Sequence, residues 1–428
     1  MVVDQALYRR TVLPNGLTVL TEPMDHVRTA SLGVWITAGS RYEDAARMGV
    51  SHFIEHALFK GTATRSALQI AQAMDGIGGH LNAFTDKEVT CYYLRVLSDH
   101  LDPAMDVLAD MLLHPALEAA ALERERQVIL EEISMCEDAP DDLVHDLFAS
   151  TLWPGHPLGW PIAGSQQSVG ALRREDFLEF IGTRYRPDAA LVAAAGRLEH
   201  DRIVELVERA LGAWTGRLTV VPAVPPAPRR AVAFRSKEIE QVHLCLGVPG
   251  LPQAHADRYV LAVLDTALGG GMSSRLFQEI REERGLAYSI TSYHTAYRDA
   301  GAFVVYAGTG PETSREVMRL TLVELARARE GMAPDEVARA KESLKGSLML
   351  DLETPGSRMS KLARSEQYFG RQLTLDELIA DVDAVQVEDV RRVAAHLFDP
   401  DRMTLVAIGP FDQHPGLAES LEEAVRDA

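Results

Sequence analysis

The sequence predicts a chain of two related halves, each built of helices and strands. Three observations carry this. A signature of Glu175-Asp176, Pro187-Asp188 and Gly196 returns as Glu388-Asp389, Pro400-Asp401 and Gly409 at one constant offset. Between the matching points each half reads as a helix followed by a strand, with Ala190-Leu191-Val192-Ala193 answered by Met403-Thr404-Leu405-Val406. A proline-rich stretch from Pro222 to Pro228 then divides the chain almost in half. These features set a first domain at 1–221, a linker at 222–230 and a duplicated domain at 231–428. The repeat is too long for a solenoid.

Composition narrows the function. The chain has 428 residues, 46% of them hydrophobic, enough for large cores in two or three domains. With 43 Lys+Arg against 62 Asp+Glu the formal net charge is −19. That balance argues against nucleic acid or an anionic membrane as partner and is compatible with basic peptides. The three cysteines, Cys91, Cys136 and Cys245, are far apart and form no CxxC, so neither a disulfide framework nor a thiolate metal site is indicated. Met1-Val2-Val3-Asp4-Gln5 lacks the basic and apolar regions of a signal peptide, and no apolar run reaches membrane-spanning length. The expectation is a reducing, cytoplasmic compartment.

In chain order, Leu13-Pro14-Asn15-Gly16 is a turn between two strand-like runs, and Ala30 to Thr37 reads as a strand. Gly39-Ser40-Arg41 turns into a helix predicted from Glu43 to Lys60. Ser66 to Ile77 is helical and Gly78-Gly79 breaks it. His80 to Thr85 and Glu88 to Val96 form an antiparallel pair, and Leu97 to Leu113 is again helical.

The helix over 43–60 contains Ser51-His52-Phe53-Ile54-Glu55-His56-Ala57-Leu58. At about 100° per residue, Phe53, Ile54, Ala57 and Leu58 share one face, and His52, Glu55 and His56 share the other. Two histidines one turn apart can present two ring nitrogens to one metal ion. Glu55, on the same face without ligand spacing of its own, can act on a water beside that metal. The order H-x-x-E-H inverts the commoner H-E-x-x-H zinc-protease pattern. A polar helix face with two histidines is the plain alternative, so the motif needs a third ligand.

That ligand is expected on the helix from Glu118 to Cys136. Its apolar face is read as Leu122, Val128, Ile129, Ile133 and Cys136, and its solvated face as Arg124, Gln127 and Glu131. Glu125 and Glu132 fall within the apolar face, where a carboxylate is costly without a metal, a cation or hydrogen-bond donors. Pairing with an arginine is the alternative. Two such glutamates, two turns apart, make Glu132 the candidate third ligand. Glu125 joins the catalytic set as a residue that orients a ligand or positions the water. Glu131 points the wrong way.

The segment Trp153 to Gly164 reads as a loop, with His156 a loop residue rather than a ligand. In the second half no histidine lies between His255 and His294, so the metal residues are not duplicated. Gly269-Gly270-Gly271 opens a loop that enters a helix carrying Arg281, and Gly285-Leu286-Ala287-Tyr288 starts a strand. The loop lacks the Gly-Lys-Ser/Thr ending of a phosphate loop.

With His52-x-x-Glu55-His56, Glu132 and the duplication together, the chain resembles the pitrilysin/insulinase family of zinc metallopeptidases. It is most similar to the short, processing-peptidase-like branch in bacteria. Gly39-Ser40-Arg41, Asn82-Ala83-Phe84-Thr85, the distance from His56 to Glu132 and Arg281-x6-Tyr288 add to the likeness. The resemblance implies an α+β fold of two similar domains, each a mainly antiparallel sheet packed with helices. It implies one Zn²⁺ per subunit, an edge strand at Asn82, Ala83 and Phe84 that pairs with substrate, and an Arg281–Tyr288 pair that grips it. It further implies a homodimer, or a pair with a related second subunit, enclosing a chamber that admits short or unfolded peptides. Some relatives are non-catalytic structural or partner subunits that have lost motif residues; here the motif is intact.

Overall fold

The structure is a computed structural model that describes residues 8–219 and 224–426. Met1 to Gln5 and the first two residues of the proline-rich stretch, Pro222 and Ala223, lie outside the described residues. Two compact units form, each an α+β arrangement of one mainly antiparallel sheet and its helices.

The strands of the first unit are β1 (Arg9–Val12), β2 (Thr18–Pro23), β3 (Thr29–Ile36), β4 (His80–Thr85), β5 (Thr90–Leu97) and β6 (Ala190–Gly196). They pair in the order β1-β2-β6-β3-β5-β4, so β4 is an edge. Only β2 and β6 run parallel. The second unit has β7 (Val232–Ser236), β8 (Val242–Pro249), β9 (Ala287–Ala296), β10 (Gly301–Thr309) and β11 (Thr404–Gly409), in the order β7-β11-β8-β10-β9. Its parallel pair is β7 and β11. The pairing of β3 with β5, from Thr29↔Leu97 to Ile36↔Thr90, is matched by that of β8 with β10, from Val242↔Thr309 to Pro249↔Ala302. Duplication is thus visible in the ladders as well as in the sequence.

The helices of the first half are α1 (Val50–Leu58), α2 (Ala67–Asp75), α3 (Leu101–Leu113), α4 (Ala119–Asp138), α5 (Pro140–Leu152), α6 (Gln166–Ala171), α7 (Arg174–Arg184) and α8 (His200–Leu211). Those of the second are α9 (Arg258–Leu268), α10 (Ser314–Glu330), α11 (Pro334–Asp351), α12 (Pro355–Phe369), α13 (Leu375–Ala384), α14 (Val387–Leu397) and α15 (Leu417–Arg426). The matched signatures open α7 and α14, where Asp176 and Asp389 each accept the backbone N–H three residues earlier and so satisfy a helix-terminal donor.

The single cut predicted near the proline-rich stretch does not describe the units. The first comprises residues up to 134, then 160–219 and 351–372; the second takes 135–159, 224–350 and 373–426. Each half therefore lends a helix to the other unit. The physical reason lies in the sheets. Strands β6, β10 and β11 are buried at nearly every position, so both faces of each sheet need cover. One face of the first sheet meets its own helices around Phe53, Leu108, Phe177 and Val207. Its other face, with Leu20, Trp35, Cys91 and Leu191, meets Met359, Leu362 and Ala363 of α12. In the second sheet Cys245, Val304 and Val406 meet Leu143, Val144, Phe148 and Leu152 of α5.

Four local expectations are corrected or refined. The motif helix begins at Val50, not Glu43, because Gly49 has a left-handed backbone (φ 92°) that ends any helix arriving from upstream. Residues 40–42 and 45–47 are separate single turns, the second capped by Asp44, which accepts from the N–H groups of Ala46 and Arg47. On α4, Val128 is 45% exposed rather than part of the apolar face. The glycine loop leads into a turn of π type over Phe277–Glu282. Within the 153–164 segment, Pro157–Gly159 forms one further turn.

Candidate metal centre

Helix α1 is short and rigidly placed. Phe53, Ile54, Ala57 and Leu58 are almost wholly buried under the first sheet, and Phe53 packs on Phe177 with ring centroids 4.7 Å apart. Its N-terminus is held from within the protein. Glu43, buried, accepts from Gly49 N–H at 2.7 Å and from Ser51 N–H at 2.8 Å, occupying two donors that a helix start leaves unpaired. Burial pushes the Glu43 carboxyl up to about 7, against the pull of those two N–H groups. The apolar stripe and the buried carboxylate together fix the phase of the opposite face.

That face carries His52, Glu55 and His56. The histidine rings lie edge to face with centroids 4.6 Å apart. Glu132, from α4, reaches the same point: its Oε2 is 3.8 Å from His52 Nε2 and 3.7 Å from His56 Nε2. Among the described residues these three form the one group whose nitrogen and oxygen atoms converge closely enough to share an ion. Tetrahedral zinc with bonds near 2 Å separates its ligand atoms by about 3.3 Å, so the two distances to Glu132 exceed that spacing by only about half an ångström. Two imidazoles and one carboxylate are also the donor set that leaves a fourth position open on zinc. The residues fit the ion.

The electrostatics suit the same reading. Burial, then repulsion from His56, pushes His52 down to about 4, so it is neutral with a lone pair to offer at neutral pH. Burial raises Glu55; a hydrogen bond from the Thr85 hydroxyl and the nearby His56 oppose it, while Glu132 adds to it. Glu55 Oε2 is buried and has no hydrogen-bond partner in the protein.

Glu125 lies on α4 two turns before Glu132, with its side chain only 7% exposed. Its Oε1 is 3.0 Å from His56 Nδ1. Of the two roles expected for it, this contact matches the orienting of His56. Glu132, in contrast, is half-exposed at 42% rather than enclosed in an apolar face. Glu131 is exposed, as expected.

Asn82, Ala83 and Phe84 lie on the edge strand β4. Phe84 packs edge to face on Trp35 at 5.4 Å, and the Asn82 side chain accepts from Ala83 N–H at 2.8 Å. The next residue, Thr85, is the one that bonds Glu55, so the edge strand is tied to the carboxylate of the motif. In the second unit the Arg281 guanidinium sits over the rings of Phe277 and Tyr288, 4.7 and 5.1 Å from their centroids, and Tyr288 is 77% exposed. His156 is a loop residue: Nε2 bonds Val224 C=O at 2.9 Å and Nδ1 accepts from Leu158 N–H at 3.1 Å. Glu43, Lys60 and Thr85 carry contacts to the centre that helix phase does not reveal, since their partners lie outside the local periodicity.

A duplicated sheet-and-helix unit with an inverted zinc motif in one copy defines a class, the inverted-motif metallopeptidases. Comparisons with known proteins agree with that class. Residues 18–166 match the family described as insulinase (peptidase family M16), and 171–344 match the peptidase M16 inactive domain. The chain belongs to the insulinase family of zinc proteases. It is 41% identical to the Bacillus subtilis protein named uncharacterized zinc protease YmxG, over 96% of this chain and all of that one. It is 45% identical to an uncharacterized zinc protease of Mycobacterium tuberculosis, over 97% of this chain and 96% of the relative. In fold it is similar to the peptidase M16 inactive domain from Pseudomonas fluorescens (TM-score 0.89, 22% identity, covering 94% of this chain and 98% of that one). A protease from Helicobacter pylori is similar too (TM-score 0.86, 23% identity, covering 94% and 99%). No helix among the described residues is long and apolar enough to cross a membrane.

Proposed function

We propose that this protein is a zinc endopeptidase that hydrolyses short or unfolded peptides, with His52, His56 and Glu132 holding one Zn²⁺ per chain and Glu55 as general base. The observation that carries the proposal is the convergence of those three ligand atoms beside a buried carboxylate on the same helix. Held by these residues, zinc would supply Lewis acidity for polarising a scissile carbonyl and acidifying water. Glu55 takes a proton from the attacking water and passes it to the leaving amine. Its raised affinity for protons, set mainly by burial, suits a group that must both accept and return one. The Thr85 hydroxyl holds one oxygen of Glu55 and leaves Oε2 for this transfer. Glu125 keeps His56 oriented through Nδ1.

The unpaired edge of β4 at Asn82, Ala83 and Phe84 receives the substrate backbone as an added strand, a mode that tolerates many sequences. Arg281 and Tyr288 grip the substrate and assist the developing oxyanion. The family likeness supports a homodimer, or a pair with a related second subunit, that encloses the substrate in a chamber in the bacterial cytoplasm. In that arrangement each site takes its zinc residues from one subunit and its arginine-tyrosine pair from the other.

Metal analysis combined with cleavage of an internally quenched peptide tests the reading. One zinc per chain, activity lost on chelation and activity restored by zinc are expected. Undiminished cleavage by metal-free protein would contradict it.

A further inference from the structure

Glu125 is buried, and there a carboxylate with an unpaired oxygen is costly. Its two oxygens have different partners. Oε1 faces His56 Nδ1 at 3.0 Å, and Oε2 receives Lys60 Nζ at 2.8 Å. Among the described residues Lys60 has no other carboxylate within ion-pair distance. The lysine stands one turn beyond His56, so a single stretch of chain delivers both the ring and the cation to the same carboxylate.

The backbone of Lys60 is anchored, although its side chain is 38% exposed. Lys60 N–H bonds Ala57 C=O at 3.1 Å. The following turn is pinned by Thr62 N–H to Arg65 C=O at 2.8 Å and by Ala116 N–H to Gly61 C=O at 3.0 Å. Thr62 Oγ1 donates to Asp110 Oδ2 at 2.6 Å, and Arg65 pairs with the same oxygen. A lysine on a free loop would sample many positions; this one is delivered to Glu125 by a fixed backbone.

We propose that Lys60 is a positioning residue for metal binding, holding Glu125 in the rotamer that sets the orientation and tautomer of His56. This rests on the reading of His56 as a zinc ligand. The logic is geometric. A neutral imidazole carries its proton on one nitrogen, and the partner of that nitrogen decides which. A carboxylate only accepts, so Glu125 Oε1 directs the proton to Nδ1 and leaves the lone pair on Nε2, which faces Glu132 Oε2 at 3.7 Å. Without the ammonium, Oε2 is left unpaired next to the solvent that the missing side chain admits. The carboxylate then turns toward water, and His56 loses the contact that fixes its ring. Loss of a ligand-orienting partner typically weakens metal binding by about ten- to a hundred-fold.

Zinc affinity of the full-length protein, read by competition with a chromophoric chelator, tests this. Lys60→Met should bind zinc about tenfold more weakly than wild type, and Lys60→Arg within about threefold of it. In a Glu125→Gln background, Lys60→Met should cost nothing further, because the lysine acts only through that carboxylate. Proton–nitrogen spectra of the metal-free protein should show His56 as the Nδ1–H tautomer in wild type and a mixture in Lys60→Met, a change that a purely structural role does not produce. Lys60→Gln serves in the same series if Lys60→Met does not fold. Wild-type affinity in the Lys60 variants, or losses that multiply in the double variant, would overturn the inference alone. No zinc binding by wild type, or none lost in His56→Ala, would overturn the metal-centre reading and this inference with it.

Discussion

Glu131 and Glu132 are adjacent in sequence and opposite in surroundings. Glu131 is exposed, while Glu132 Oε2 stands 3.7 and 3.8 Å from two imidazole nitrogens. Replacing Glu132 by Gln turns a charged ligand into a weak one and should lower zinc affinity by at least about tenfold. Glu131→Gln should leave it within error, and isothermal titration of both metal-free variants checks the order. Helix phase alone picked Glu132 over Glu131, because the 3.6-residue period is a property of the local chain. It overstated the burial of Glu132 and of Val128, since it cannot see where the covering layer stops. Lys60, Thr85 and Glu43 were beyond its reach. Lys60 and Thr85 act through side chains 65 and 30 residues away in sequence, on Glu125 and Glu55. Glu43 acts on the start of α1 across a glycine turn, where the sequence reads as a continuous helix.

Elements were legible in kind and less so in destination. The matched strands β6 and β11 follow from the repeated signature, and the pair β4 and β5 follows from the glycine break before it and from the β-branched and aromatic residues of β5; the match of β3 with β8 is visible only in the ladders. That α12 covers the first sheet and α5 the second does not follow, because an amphipathic helix does not encode which apolar sheet it meets. A Glu88 carboxylate bonded by both Arg41 and the Tyr368 hydroxyl of α12 shows how firmly that helix is joined to the first unit. Leu362 of α12 is 1% exposed. Leu362→Ala should destabilise the protein by about 2–5 kcal/mol, whereas Val128→Ala on the exposed side of α4 should cost under about 1 kcal/mol. Chemical denaturation of the two variants makes the comparison. Equal, small effects would mean that α12 is not part of the core of the first unit.

At the scale of the whole molecule, the duplication kept a fold in both halves and a candidate metal centre in one. If substrates must enter a closed chamber, unfolded peptides should be cut and stable folded proteins spared. If sites are shared across a two-fold axis, Glu55→Gln and Arg281→Ala/Tyr288→Phe chains should each be impaired alone, yet recover about a quarter of wild-type activity when mixed at random. Half of such dimers are mixed, and one of the two sites in each is intact. No gain, with mixed dimers confirmed by mass, would mean that the pair acts within its own chain or not at all. Beneath these expectations stands one claim, that Glu55 does the proton transfer at a zinc centre it does not itself ligate. The most direct measurement is peptide cleavage by Glu55→Gln protein whose zinc content has been determined on the same sample. The account predicts one zinc per chain and cleavage reduced by at least about a hundredfold; cleavage near the wild-type rate by that zinc-loaded variant would contradict it.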